Sequence, residues 1–315
     1  RKESSAASDV YKRQDYTDTL RKLHNYIKSK LIISICSSFD EEIQILDLSI
    51  GRGGDLNKYL DKFSNAKFIL GLDLFPVDEA CKRYYEHNRR GKSKAVFAQG
   101  DTSQNFMNAD CYEDVNISVN DKKHSETMLG ILYNKHTSIP KEYKKIHKEF
   151  NNLALQKFEV INSQFTFHYY FETEDKFKNT INNIIKNITP GGYFIGMCYD
   201  GEKIFNLLKN KSKFEYIHED GRLIYSIEKK YETTSFDEST SPINLDNVFG
   251  QQIDVYMDSI GQTIPEYLVN FKFFKNYMEQ NGFQLTCGFN KLKIKRGVSS
   301  GTNIFYEDLL TDGYG

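Results

Sequence analysis

The chain has 315 residues, of which 39% are hydrophobic and 27% are charged, and its formal net charge is −1. This composition is typical of a folded globular protein that is long enough to bury a full hydrophobic core. No segment approaches the roughly 18 apolar residues that a membrane-spanning helix needs, and none has the pattern of a signal peptide.

A nearly neutral chain does not bind polyanions over its whole surface, so nucleic acid would be held by a local basic patch or through one specific end group. Three lysine-rich segments, residues 141–148, 203–213 and 291–296, are candidate patches. Each of them is more typical of a solvated surface than of a binding groove.

The five cysteines are odd in number and widely scattered, and none belongs to a Cys-x-x-Cys pair. This spacing argues against a disulfide framework and gives no indication of a zinc site, so we predict no metal. Cysteines of this kind fit a reducing compartment, and we expect a protein that is not secreted.

The first 14 residues, RKESSAASDVYKRQ, show no apolar period, and we predict a disordered leader that is not native to the protein. The folded domain is expected to cover residues 15–315. It should begin with a helix, because Leu23, Ile27 and Leu31 form a stripe at helical spacing.

Strands and helices alternate along the rest of the chain, which predicts a doubly wound, mostly parallel α/β sheet. The predicted strands cover residues 43–48, 68–72, 95–98, 158–163, 193–197 and 283–289. The predicted helices cover residues 56–63, 80–88, 125–133, 141–156, 177–188 and 267–278. Alternating apolar residues between 222 and 257 predict an inserted antiparallel segment.

A glycine-rich loop follows the first predicted strand, and an acid, Asp73, ends the second. This arrangement predicts a nucleoside site, because glycines let the backbone approach a ligand and the acid accepts hydrogen bonds from ribose hydroxyls. A dinucleotide fingerprint would need a third glycine where the chain has Leu56, and no Gly-Lys-Ser/Thr sequence completes a phosphate-binding loop.

Asp55 places a carboxylate at the start of the next helix, which favours a cationic ligand over a pyrophosphate. S-adenosylmethionine has an ammonium, a sulfonium and a ribose diol. Asp47, Asp55, Asp73 and Asp101 all fall where predicted strands end, so we interpret the domain as a methyltransferase. Helix capping by one or two of these aspartates is the alternative.

The segment from Gln164 to Phe171, QFTFHYYF, places aromatic rings and His168 directly after a predicted buried strand. Such a segment would form a slot for a flat group at the carboxyl edge of the sheet. From composition alone, an aromatic-rich core helix is the favoured interpretation.

With these residues in hand, the chain resembles the messenger RNA cap guanine-N7 methyltransferases, and is most similar to the methyltransferase domain of capping enzymes from large nucleocytoplasmic DNA viruses. The resemblance covers roughly residues 20–308. It is carried by five strings: LHNYIK from Leu23, DLSIGRGGDL from Asp47, QFTFHYYFE from Gln164, PGGYFIGMCYDG from Pro190 and QTIPEYLVNF from Gln262.

The resemblance implies a class I S-adenosylmethionine-dependent methyltransferase (Rossmann-like) fold with an N-terminal helix, and S-adenosylmethionine as the cofactor. Lys28 would contact the methionine carboxylate, Asp73 the ribose hydroxyls and Asp101 the adenine amine. The implied cofactor-binding residues are Lys28, Asp47, Gly51, Asp55, Asp73, Asp101 and Gln164.

The resemblance also implies a cap guanine site, in which Glu266 accepts hydrogen bonds from N1 and the amino group of the base. The implied cap-binding residues are Asn25, Arg52, Phe165, His168, Tyr169 and Glu266. No residue is expected to act as a general acid or base, because guanine N7 carries a lone pair and no proton. His168, Tyr169 and Gln164 would position the reactants.

The chain departs from the family pattern at Ser49, Ile50 and Arg52, where family members usually have Gly, Cys and Lys. It also lacks the last antiparallel strand with its aromatic residue, so we expect a truncated C-terminus. The expected partner is the 5′ end of capped RNA, with triphosphatase and guanylyltransferase domains in the same polypeptide. The expected location is cytoplasmic, including a viral factory or virion, or nuclear.

Two alternatives remain open from the sequence. The first is a methyltransferase that acts on a small molecule or a protein, with the aromatic slot holding another flat group. The second is a non-catalytic module that binds the cap without binding S-adenosylmethionine.

Overall fold

The computed structural model describes residues 3–61, 64–88, 91–136, 138–236 and 245–286, with side chains from Leu20 onwards. The chain forms two compact units. The first, here called the antiparallel unit, comprises Arg1–Lys28, Phe167–Glu174 and Cys198–Gln284. The second, here called the parallel unit, comprises Ser29–Thr166, Asp175–Met197 and Leu285–Gly315.

The parallel unit contains a five-stranded sheet in the order β3-β2-β1-β4-β5, and every neighbouring pair of strands is parallel. The strands are β1 (Ile43–Asp47), β2 (Ala66–Asp73), β3 (Lys94–Gln99), β4 (Phe158–Gln164) and β5 (Ile188–Met197). All residues of β1 are buried, as expected for the central strand of a sheet that is covered on both faces. The predicted doubly wound sheet is confirmed.

Helices connect these strands: α2 (Leu56–Tyr59), α3 (Asp78–His87), α4 (Val119–Leu132), α5 (Lys144–Phe150) and α6 (Glu174–Asn187). The core of the unit contains Ile45, Ile69 and Val160 from the sheet and Ile32 and Ile35 from the N-terminal helix α1 (Glu3–Cys36).

The strand register brings polar residues to one edge of the sheet. Asp47, the last residue of β1, pairs with Gly71 of β2 and with Asn162 of β4. Asp73 ends β2 opposite Gln99 of β3. Because all these strands are parallel, their carboxyl ends and the loops that follow meet at this edge, where α/β sheets bind ligands.

The antiparallel unit contains a four-stranded sheet in the order β6-β7-β8-β9. Its strands are β6 (Lys213–Ile217), β7 (Leu223–Lys229), β8 (Gln252–Met257) and β9 (Gln262–Tyr267), and its helices include α7 (Gly201–Leu207) and α8 (Phe271–Gln280). Sequence alternation predicted β7 and β8 correctly but missed the edge strands β6 and β9. Both edge strands carry exposed polar residues, and β9 contains a proline, which is tolerated at a sheet edge.

Several predicted boundaries differ from the structure. The backbone is helical from Glu3, where a disordered leader was predicted; this stretch contains no glycine or proline to interrupt a helix. β5 begins at Ile188 because that residue pairs with Phe158 before the chain bulges outward and pairing resumes at Tyr193. Residues 283–286 have no regular structure, and the rest of the predicted sixth strand, with the C-terminus, lies outside the described residues.

Gly53 offers a test of the loop after β1. An added Cβ would lie 2.7 Å from Leu56 Cδ1 and 3.0 Å from Ala80 Cα, and the φ of Gly53 is +74°. Gly53→Ala should therefore lower the free energy of unfolding by about 2 kcal/mol, measured by urea denaturation.

Gly54→Ala is the matched control, because no atom lies within 4 Å of its added Cβ. It should change the free energy of unfolding by less than about 0.5 kcal/mol. Equal stabilities for the two variants would contradict this account of the loop.

Candidate functional site

The loop after β1 is tied to the end of β2 through Asp73. Gly51, which has a φ of +51°, donates a backbone hydrogen bond to Asp73 Oδ2 at 2.7 Å. The Phe75 amide donates to Oδ1 at 2.9 Å. Burial raises the pKa of Asp73 above its usual value, and these two backbone donors oppose that shift. Each carboxylate oxygen has a further lone pair with which to accept a hydrogen bond from a ligand.

Asp47 supports the same loop from inside the protein. Its Oδ1 accepts a hydrogen bond from the Ser49 amide at 3.0 Å, and its Oδ2 accepts from the Tyr59 hydroxyl at 2.5 Å and from Asn162 Nδ2 at 3.3 Å. The residue is 1% exposed, and burial raises its pKa to about 7. Its carboxyl group therefore shapes the loop from within the protein, and its role in cofactor binding stays a prediction.

Asp55 forms a buried ion pair that the sequence interpretation missed. Lys58 Nζ lies 2.7 Å from Asp55 Oδ1, and the two side chains are 3% and 11% exposed, respectively. Lys58 Nζ also donates to the Gly54 carbonyl at 3.2 Å. Asp55 is therefore not an isolated anion. The i to i+3 spacing of these residues on one helical turn was the available signal.

Asp101 and Gln164 lie at the ends of β3 and β4. Asp101 Oδ1 accepts from the amide and the hydroxyl of Ser103, both at 2.7 Å, so it shapes its own turn. Gln164 Nε2 donates to Asn162 Oδ1 at 2.7 Å. Gln164 Oε1 is buried and has no hydrogen-bond partner among the described residues. An unsatisfied buried acceptor is costly and points to a ligand that donates to it.

Phe165 has a φ of +58°, a left-handed conformation that is strained for an aromatic residue. Its amide donates to the Met197 carbonyl at 2.8 Å, which holds the backbone in place. The next residue, Thr166, donates its hydroxyl to Ser49 Oγ at 2.7 Å and lies 2.9 Å from Ser163 Oγ. Ser49, one of the departures from the family pattern, thus links the first loop to the segment after β4.

A second cluster lies within the antiparallel unit. The short helix Phe167–Phe171 carries His168 and Tyr169, and β9 carries Glu266. The His168 ring stacks on Tyr199 at 5.3 Å between centroids and 23° between planes, and contacts the Tyr169 ring at 4.2 Å. His168 Nε2 lies 3.8 Å from Glu266 Oε1, too far for a hydrogen bond. Tyr199, which follows β5, was not predicted.

Burial sets the protonation of this pair. His168 is 4% exposed, and burial lowers its pKa to about 4, so the ring is neutral at physiological pH. Both of its ring nitrogens lack hydrogen-bond partners among the described residues. Burial also raises the pKa of Glu266 to about 7. A neutral imidazole with two unpartnered nitrogens therefore lies beside the carboxyl group of Glu266 and against the rings of Tyr169 and Tyr199.

The remaining predicted site residues are on α1 and in the loop after β1. Asn25 is exposed and Lys28 is half-buried on α1, and Arg52 is exposed in the loop after β1. Among the described residues, no group of three or more His, Cys, Asp or Glu side chains could hold a metal ion. No helix in that part of the chain combines the length and the apolar character needed to cross a membrane.

The raised pKa of Glu266 makes stability depend on pH. The folded side chain keeps its proton to about pH 7, whereas the unfolded side chain releases it near its ordinary pKa of 4.5. The unfolded state binds fewer protons in that interval, so the Glu266 contribution to stability is lost as pH rises. The free energy of unfolding of Glu266→Gln, relative to that of wild type, should therefore be higher at about pH 8 than at about pH 5 in urea denaturation. The same difference between the two proteins at both pH values would contradict this.

Comparison with known proteins agrees with the resemblance. The family model of the mRNA (guanine-N(7))-methyltransferase domain matches residues 4–297. The probable mRNA-capping enzyme of Acanthamoeba polyphaga mimivirus is 29% identical over 279 residues, which cover 84% of this chain and 21% of that protein. The mRNA cap guanine-N(7) methyltransferase of Schizosaccharomyces pombe is 28% identical over 280 residues, which cover 87% of this chain and 63% of that protein.

Solved structures give weaker likenesses. Streptomyces venezuelae DesVI aligns with a TM-score of 0.44 and 14% identity, over 89% of this chain and 91% of that one. An S-adenosylmethionine-dependent methyltransferase from Clostridium acetobutylicum aligns with a TM-score of 0.40 and 15% identity, over 81% of this chain and 80% of that one. The chain spans less than two thirds of the length of the mimivirus and yeast relatives. On the family match, the chain belongs to the mRNA (guanine-N7)-methyltransferase family.

Proposed function

We propose that the chain transfers a methyl group from S-adenosylmethionine to N7 of the guanosine cap of GpppRNA, giving the 7-methylguanosine cap and S-adenosylhomocysteine. One observation carries this proposal beyond family membership. The His168 ring contacts Tyr169 and Tyr199, its Nε2 lies 3.8 Å from Glu266 Oε1, and neither of its nitrogens has a hydrogen-bond partner within the described residues.

The chemistry of this pair fits guanine. Guanine presents N1–H and the 2-amino group side by side, and a carboxylate accepts both hydrogen bonds. Adenine lacks the N1 proton and would leave Glu266 without that partner, which is costly in a buried site. Tyr169 and Tyr199 offer ring faces on which a purine stacks.

The parallel unit fits the cofactor. The left-handed glycines at 51 and 53 let a ligand approach the loop backbone, and Asp73 has lone pairs available for ribose hydroxyls. Gln164 Oε1, which has no partner within the described residues, can accept a hydrogen bond from the amino-acid end. Asp55 and Asp101 are proposed to complete the site, with Asp47 holding the loop from within the protein. When bound, S-adenosylmethionine supplies an electrophilic methyl group on a sulfonium.

No residue of the chain is proposed to act as a general acid or base. Guanine N7 attacks with its lone pair and has no proton to lose, so its alignment with the methyl carbon determines the rate. His168 remains neutral because of its burial, and the tyrosines and Glu266 orient the base. Gln164 and the strained Phe165 lie just before His168 and Tyr169 in the sequence, and we propose that their backbone fixes the start of that segment.

The proposed partner is the 5′ end of capped RNA. Because the mimivirus relative is named a capping enzyme and the match covers 21% of its length, we also propose triphosphatase and guanylyltransferase domains in the same polypeptide. The proposed location is cytoplasmic, including a viral factory or virion, or nuclear.

The decisive experiment is incubation of the protein with methyl-labelled S-adenosylmethionine and GpppRNA, followed by nuclease digestion. We expect the label in 7-methylguanosine. Label in another nucleoside, or none in RNA together with methylation of a small molecule or protein, would refute the proposed substrate. Cap affinity without S-adenosylmethionine affinity would identify a non-catalytic cap-binding module.

Glu266→Ala should lower kcat/KM for GpppRNA by about a hundredfold, because buried N1–H and amino donors lose their acceptor. The KM for S-adenosylmethionine should change little, since no cofactor contact is removed. Selectivity for GpppRNA over ApppRNA should fall in the same measurement. A variant that retains wild-type selectivity would overturn the assignment of Glu266.

A further inference from the structure

The antiparallel sheet has a second surface feature on the face that carries Glu266. Strand register places cross-strand neighbours in rows, and alternate residues of each strand share a face. Glu266 is at one end of this face. Towards the start of β9, the next residues on this face are Ile264 and Gln262. Gln262 begins a row of cross-strand neighbours that crosses all four strands: Gln262, Met257, Tyr225 and Tyr216.

Part of this face is covered within the unit. Phe205 and Leu208, on and just after α7, form a core cluster with Ile253 of β8, and Phe214, Ile227 and Val255 pack against that cluster. The row from Gln262 to Tyr216 belongs to no such cluster. Tyr216 is 47% exposed, and Gln262 is also exposed. We call this row, together with the adjoining Phe214, the aromatic row.

The rings of the aromatic row are arranged as a stacking surface. Tyr216 and Tyr225 are 5.5 Å apart between centroids with 23° between planes, and Phe214 lies 5.8 Å from Tyr225 at 31°. Neighbouring tyrosines on an antiparallel sheet stabilise one another, and they also present ring faces and edges on which an unpaired base can stack.

The two faces of the sheet differ in charge. On the face of the aromatic row, Lys211 Nζ lies 4.5 Å from the Phe214 centroid, and Lys211 forms no salt bridge within the described residues. On the opposite face, Lys213 is paired with Glu215 at 2.6 Å and Lys230 with Glu228 at 2.5 Å. A positive charge without a carboxylate partner is therefore found on the aromatic face, where it can meet a phosphate.

We propose that the aromatic row binds the first transcribed nucleotides of the RNA as a single strand, with a base stacked at Tyr216 and Tyr225 and a phosphate beside Lys211. This inference rests on the proposed function, because it takes the cap guanine to be at Glu266. Glu266 is separated from Tyr225 by four residues along β9 and by two strand spacings, which corresponds to a distance of roughly 16 Å. The nucleotides next to the cap can cover this distance.

The test is fluorescence anisotropy with a capped, 3′-labelled oligoribonucleotide of about ten nucleotides. Tyr216→Ala should raise its Kd by about tenfold, because one stacking surface is lost. Lys211→Gln should raise the Kd less and reduce its dependence on salt. Tyr216→Phe, which keeps the ring, and Lys213→Gln, on the opposite face, are the matched controls and should bind as wild type does.

Methylation assays separate the two proposals. Tyr216→Ala should raise the KM for the capped oligonucleotide and leave the KM for the dinucleotide GpppG unchanged. If wild type binds RNA through Tyr216 but methylates neither substrate, the proposed function fails and the aromatic row stands as an RNA-binding surface.

Three results would overturn the inference. They are no RNA binding by wild type, an unchanged Kd in Tyr216→Ala, or an equal effect on the dinucleotide and the oligonucleotide. Loss of a wild-type dimer in Tyr216→Ala, with RNA binding intact, would instead assign the row to contact between two copies of the chain through the edge strand β6.

Discussion

The buried carboxylate of Asp47 is the constraint on which the cofactor side of the protein depends. It lies at the end of the central strand and accepts hydrogen bonds from Ser49 in the first loop, Tyr59 in the following helix and Asn162 in the neighbouring strand. A buried carboxyl group is tolerated only when it is hydrogen-bonded, as this one is. The same loop contains the left-handed glycines and is held on its other side by the hydrogen bond from Gly51 to Asp73.

Some unfavourable local features occur where function is proposed, and others lie elsewhere in the described chain. Gln164 Oε1 and both nitrogens of His168 are buried without partners in the described chain, and Phe165 has a left-handed backbone. Each feature costs free energy in the folded protein, and the surrounding sheets supply the stability that offsets it. Polar groups held ready in this way need no rearrangement when a ligand arrives, which would be the physical basis of the proposed positioning without acid or base catalysis.

Periodicity predicted the parallel sheet well, because buried parallel strands are continuous apolar runs with aspartates at their ends. It missed β6 and β9, whose half-exposed residues resemble loops, and it shortened α1 because an apolar stripe is not required for helical backbone. Spacing suggested Asp47, Asp55 and Asp73 alike as ligand contacts. It could not distinguish Asp47, which the fold itself occupies, or find Lys58 and Tyr199, since these roles depend on three-dimensional neighbours.

The ionisation behaviour of Glu266 has a consequence for recognition. A carboxyl group with a pKa of about 7 is partly protonated in the free protein at neutral pH, whereas a base that donates two hydrogen bonds favours its anion. If Glu266 binds guanine as proposed, capture of the base would release a fraction of a proton to solvent, and the observed calorimetric heat would vary with the ionisation enthalpy of the buffer. The proposed cap recognition would in this sense be a proton-exchange reaction.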